Sequence, residues 1–289
     1  MELINIFAKL ECVENQAIEK TEFTEYPLEE KPVNTLIINK PSPNNPPWNS
    51  GAAFLVWAAS VALILIFPTI AIGIYIAANG LKITSQEQLA EILKTDINAS
   101  IIQILAIIPA HIFTLILAWA VVTKFKKYSF REMLGWKFNN FKVWHIIVVV
   151  VSIFVLAGIL TAYFGETDNE LLRILRSSRT AVVLVAILAT FTAPIVEEVV
   201  YRGVLYSALQ RTVGVWFAVF LVTLLFAVVH VPQYLPDFVA ISMICLLSLV
   251  LTLIRVWTNN LLPCIILHFV FNGIQSVILI LEPYLPKTP

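Results

Sequence analysis

Long uncharged runs alternate with short charged ones along this chain. Residues 51–81, 98–123, 143–165, 212–236 and 256–281 contain no Asp, Glu, Lys or Arg, and two shorter runs, 180–196 and 238–254, are equally free of charge. A helix needs about 20 apolar residues to cross the hydrocarbon core of a bilayer. These runs are too long for strands, and none shows the apolar–polar alternation of a half-buried strand. Lipid offers no partners for backbone N–H and C=O groups, so segments of this kind satisfy themselves as helices. The pattern therefore predicts an all-α fold, a polytopic membrane helix bundle of about seven to eight transmembrane helices, the eighth being a half-buried segment. The first apolar run opens near residue 51, too late for a cleaved signal peptide.

The polar stretches divide the chain into three parts. Residues 1–50 form a polar, acidic N-terminal region with eight Glu and four Lys. Within it Leu3, Ile4, Phe7, Leu10, Val13, Ala17 and Ile18 recur at helical spacing and predict a short amphipathic helix. Pro41, Pro43, Pro46 and Pro47 read as a stiff linker, and Trp48 as an interfacial anchor before the first span. Residues 51–142 hold two spans and a loop, 124–142, with six basic residues and one acid. By the positive-inside rule that loop is cytoplasmic, and the N-terminus with it. Residues 143–289 supply the remaining spans, preceded at 166–179 by a short amphipathic segment outside the fourth.

Composition strengthens the membrane reading. The chain is 59% hydrophobic and 13% charged, against about 45–50% and 25% in soluble domains, and its mean hydropathy is +0.85. A net charge of zero gives nucleic acid no electrostatic footing. Cys12, Cys245 and Cys264 are far apart and form neither a disulfide framework nor a paired zinc motif.

Against this background, ionisable groups inside the spans stand out, because each costs about 2.5–3.5 kcal/mol on insertion scales. They are Glu197, Glu198 and Arg202 in APIVEEVVYRGVLY, together with His111, His145, His230 and His268; Asn272 joins them as a polar amide. Three pairs share one spacing: Glu198 with Arg202, Phe226 with His230, and His268 with Asn272. Residues four apart on a helix point to the same face. By helical rise, Glu197 and His230 lie about 20–24 Å from the turn near residues 210–214, and His268 and Asn272 about 12–18 Å into the last span. All four can meet near mid-bilayer if their helices are neighbours. Pro194 is expected to kink its helix one turn before Glu197, Pro232 to end its helix just after His230, and Pro263 lies five residues before His268; kinks of this kind open cavities where water and charge coexist. Two plainer readings stand beside this one. Glu198 with Arg202 is also a self-neutralising ion pair, and His111, after Pro109, and His145, at a membrane edge, read as hydrogen-bonded structural residues.

EEVVYR at 197–202, FAVVH at 226–230 and HFVFN at 268–272, on separate spans in that order, resemble the motifs of the CAAX protease and bacteriocin-processing family of intramembrane proteases. That family includes the type II CAAX prenyl endopeptidases, and the resemblance covers roughly residues 143–281. It implies peptide-bond hydrolysis within the membrane. Glu197 would activate water with help from His230, His268 and Asn272 would hold the oxyanion, and Glu198 and Arg202 would support the first motif. The implied partners are the bilayer and a lipidated or membrane-embedded peptide.

Two chemistries fit these residues. One needs no cofactor: a carboxylate base with His and Asn donors aimed at the tetrahedral oxyanion. The other places a divalent metal such as zinc on Glu198, His230 and His268, with an open position for water. No HExxH helix, the compact zinc signature, is present. A transporter, or a non-catalytic immunity or regulatory protein, is the competing class, since ionisable groups at mid-bilayer also mark transport sites. The lack of an internal repeat counts against transport.

Overall fold

The computed structural model describes residues 40–165 and 167–284. The chain divides into two units, residues 1–38 and 39–289. The described residues belong to the second, and the expected amphipathic helix near the N-terminus falls outside them. Among the described residues, seven helices are long and apolar enough to cross a membrane: Ser50–Ala78, Ile97–Thr123, Val143–Phe164, Arg179–Val213, Val215–Tyr234, Phe238–Thr258 and Leu262–Leu281. They are called the first to seventh spans below. The chain is an all-α, integral multi-pass membrane protein.

Side chains are distributed as lipid demands. Leu55, Leu65, Ile74 and Ile159 face outward, each more than 60% exposed, while Glu198, Arg202, Ser248 and Thr252 are completely buried. A soluble protein would invert this arrangement. The fourth span is the hub. Its first half packs on the second and seventh spans, and its second half on the first and fifth. The third, sixth and seventh spans close the bundle around a second apolar cluster that includes Ile146, Val150, Leu251, Leu267 and Phe271.

The ends are tied down more closely than their composition predicts. Trp48 is buried, and its indole N–H donates to the Val204 carbonyl at 3.0 Å. It is therefore a core residue and not an anchor at the lipid surface, because the proline-rich segment folds back beneath the bundle. That segment forms a tight turn in which Ser42 and Asn45 exchange backbone hydrogen bonds of 3.1 and 3.0 Å. The basic loop likewise sends a short helix, Phe130–Leu134, into the core. Leu134 and Leu261 pack against Gly203 of the fourth span, where an added Cβ would lie 3.1 and 3.3 Å from their methyl carbons.

The prolines act differently from one another. Pro263 sits in the first turn of the seventh span, where its missing N–H costs nothing, so it starts that helix and does not kink it. Pro232 does not end the fifth span; helix continues to Tyr234. Pro194 alone lies inside a distorted stretch. The amphipathic segment before the fourth span forms the helix Glu170–Ser177, with Asn169 capping it and Arg173 and Arg176 paired to Glu170 and Asp168.

Candidate active site

The fourth span is not a regular α-helix where the charged residues sit. Leu188–Thr192 and Val199–Leu205 are π-helical, on either side of the α-helical turn Ala193–Glu198. The first wide turn has a local cause. The Ala193 N–H reaches back five residues to the Leu188 carbonyl, and continuing that register would require an N–H from residue 194 for Ala189. Pro194 has none. The Ala189 carbonyl is thus left without its helical donor, and Asn272 of the seventh span supplies one, Nδ2 to oxygen at 2.8 Å.

Beyond this break the carboxylates separate by environment. Glu198 is completely buried, and its Oε1 accepts from the Arg202 guanidinium at 2.8 Å and from His268 Nδ1, also at 2.8 Å. Arg202, equally buried, donates its remaining hydrogen bonds to the sixth span: Nε to Thr252 Oγ1 at 3.2 Å, and Nη2 to the Ser248 carbonyl and hydroxyl at 3.0 and 2.7 Å. Glu197, the neighbour in sequence, turns to a different face with 23% of its side chain exposed. Its Oε2 lies 3.8 Å from His268 Nε2. One imidazole is thereby held between adjacent carboxylates, a different ring nitrogen towards each.

Phe226 joins the other histidine to this group. It is buried, with the Arg202 guanidinium 4.7 Å above its ring, Tyr201 against its edge at 5.0 Å and His268 at 6.3 Å. His230 stacks on the same ring at 4.6 Å, and its Nδ1 lies 2.7 Å from the Phe226 carbonyl oxygen. If Nδ1 carries the proton for that bond, Nε2 is left as the acceptor.

Residues 179–274 match the family model for type II CAAX prenyl endopeptidase, Rce1-like. No curated protein and no solved structure matches the chain. The Rce1-like segment runs from the start of the fourth span into the middle of the seventh, and contains Glu197, Glu198, Arg202, Phe226, His230, His268 and Asn272. The family is one of proteases, the one the motifs resemble.

Within the Rce1-like segment the structure gathers Glu197, Glu198, Arg202 and His268 directly. His230 joins through Phe226; the ion pairs to the carboxylates come from His268. Asn272 is bonded to the broken backbone of the fourth span. The metal set of Glu198, His230 and His268 is not assembled. Glu198 Oε1 is shared by a guanidinium and an imidazole, which puts a fixed positive charge where a cation would bind. Among the described residues no three His, Cys, Asp or Glu side chains are grouped to hold a metal. Sequence reasoning missed Ser248 and Thr252, which show the same four-residue spacing, because hydroxyls in apolar helices usually bond their own backbone. It passed over Thr192 for the same reason. His145 is a surface residue that accepts the Lys142 backbone N–H at 2.8 Å and stacks on Trp144 at 3.8 Å.

Two cavities lie along the same spans, neither lined by Glu197, Glu198, His230 or His268. A polar one of about 800 Å³ lies at the end of the fifth span, lined by Pro232, Leu235, Lys94, Asn169 and the paired charges of 168–176. An apolar one of about 520 Å³ runs between the fourth and seventh spans, past Thr190, Phe191, Phe269 and Gly273.

Proposed function

We propose that this protein is an intramembrane endopeptidase that hydrolyses a peptide bond in a lipidated, CAAX-type or other membrane-associated peptide, with Glu197 as the base. The observation that carries the reading is the unequal treatment of two adjacent acids. Glu198 is neutralised and fixed by Arg202, whereas Glu197, among the described residues, pairs with no Lys or Arg and keeps part of its side chain exposed beside the His268 ring. A separation of 3.8 Å is too long for a direct hydrogen bond and short enough for one water to touch both Glu197 and His268 Nε2.

In the first step the water oxygen attacks the scissile carbonyl carbon while Glu197 takes a water proton. A C–O bond forms, and the carbonyl electron pair moves onto oxygen. Asn272 stabilises that oxyanion with the second amide hydrogen beyond the one given to Ala189, and His268, whose Nδ1 hydrogen goes to Glu198, does so in the form that also carries a proton on Nε2. His230 assists by accepting the second hydrogen of the attacking water at Nε2, which orients that water for Glu197. In the second step the oxyanion collapses, the C–N bond breaks, and Glu197 returns its proton to the leaving nitrogen. Glu198 and Arg202 position His268 and do not touch the reacting atoms. The fit of the donors gives no support to the zinc alternative, and no step here passes through a metal. The basic loop 124–142 supports a cytoplasmic N-terminus.

The test is cleavage of a prenylated fluorogenic peptide by the full chain in bicelles. Glu197→Gln should lower turnover by about 10²–10⁴-fold, and full activity in that variant would overturn the assignment. Cleavage of the same peptide without its prenyl group, at equal efficiency, would broaden the substrate class to membrane peptides generally.

A further inference from the structure

His111 belongs to none of the three motifs, and it lies outside the segment that matches the Rce1-like family. It is buried in the second span with its Nδ1 2.9 Å from the Thr192 hydroxyl. The Thr192 hydroxyl is also 3.1 Å from the Leu188 carbonyl and donates to it. A hydroxyl has one hydrogen, so Thr192 gives it to Leu188 and accepts from His111, which must carry its proton on Nδ1. The chain His111 to Thr192 to Leu188 therefore ends on the first wide turn, at the carbonyl that also receives the Ala193 N–H. Asn272 closes the adjacent carbonyl from the seventh span. Two neighbouring spans thus hold one irregular turn from opposite sides, and Glu197 is carried one turn further along the same helix.

We propose that His111 is a positioning residue: acting through Thr192, it fixes the wide turn at residues 188–192 and so the placement of Glu197. A wide turn has fewer good backbone bonds than an α-helix, and such turns persist where neighbouring groups restore what is lost. Without the His111 donor, Thr192 is free to rotate, the turn loosens, and the carboxylate one turn on loses its fixed aim. Substrate binding does not involve His111, so kcat changes and KM does not.

The catalytic half of this inference rests on the endopeptidase reading; the structural half does not. Amide hydrogen exchange over residues 186–198 is compared for the wild type, His111→Ala, Thr192→Val and His111→Asn, with the full chain in bicelles. Exchange should quicken about tenfold in the first two variants and return close to wild type in His111→Asn, whose amide can donate to Thr192. Unchanged exchange in His111→Ala overturns the proposal whether or not any peptide is cleaved. With a cleavable peptide, His111→Ala and Thr192→Val should each lower kcat about tenfold at constant KM, and the double variant should lose no more than either alone. Losses that multiply, or a kcat unaffected by faster exchange, overturn the positioning role. Should His111→Ala fail to fold, Thr192→Val and His111→Asn decide the question alone. A wild type that cleaves nothing counts against the endopeptidase reading, and the exchange result still decides this one.

Discussion

Arg202 and Arg255 are both completely buried and lie close together, Arg202 bonding to Thr252 three residues before Arg255, yet they serve the bundle in different ways. Arg202 has a carboxylate partner, Glu198, and passes its other hydrogen bonds to the sixth span. Arg255, in the last turn of the sixth span, has only neutral partners among the described residues: the Pro43 carbonyl at 2.9 Å, Asn44 Oδ1 at 3.0 Å and the Ser207 hydroxyl at 3.0 Å. Its ring neighbour is Tyr206, at 5.5 Å, and its Nε is buried without a hydrogen bond. The first arginine holds an acid in the register that a histidine needs. The second clamps a turn of chain onto the helix ends. A buried charge in a membrane protein therefore does not mark a chemical centre by itself; what it is paired with decides.

The contrast can be broken experimentally. Arg202→Met should have the largest effect, since it leaves Glu198 buried and uncompensated, a loss of about 3–5 kcal/mol. Thermal unfolding in detergent should show it, with activity lost in parallel. Glu197→Gln should lower turnover by about 10²–10⁴-fold while leaving the unfolding midpoint within a degree or two. Arg255→Met should destabilise by about 1.5–3 kcal/mol, the scale of hydrogen bonds to a charged group, yet retain kcat per folded molecule. Equal loss of kcat in the two arginine variants would erase the distinction drawn above. Ser248→Ala should be mildest, about 1 kcal/mol, with turnover reduced only slightly because Thr252 and the Ser248 carbonyl still hold Arg202.

The seven spans were legible because crossing a bilayer is a matter of length and charge, which a sequence displays directly. The grouping of Glu197, Glu198, Arg202 and His268 was legible from four-residue spacings on separate helices. Three things were not. Trp48 was read as interfacial because its neighbours are polar, but the partner that buries it, Val204, is 156 residues away. The fit of Glu198, His230 and His268 to a metal could not be read from the motifs, because a motif does not say which carboxylate oxygen Arg202 occupies. The wide turns of the fourth span were hidden because nothing local distinguishes them from a proline kink. Their partners, Asn272 and His111, come from the seventh and second spans.

Those wide turns also have a bearing on insertions and deletions. Each one advances the chain by an extra fraction of a residue without advancing the screw of the helix, so everything beyond it is rotated relative to everything before. Removing a single residue between 188 and 192 would let the segment wind up as an ordinary helix, and such a helix is the more comfortable one in isolation. It would also swing Phe191 and its neighbours away from the lipid they now face, relative to the acids below. Sequence length in this short stretch is thus under a constraint unrelated to hydrophobicity, and a lipid-compatible replacement with one residue fewer would span the bilayer and still misalign the acids.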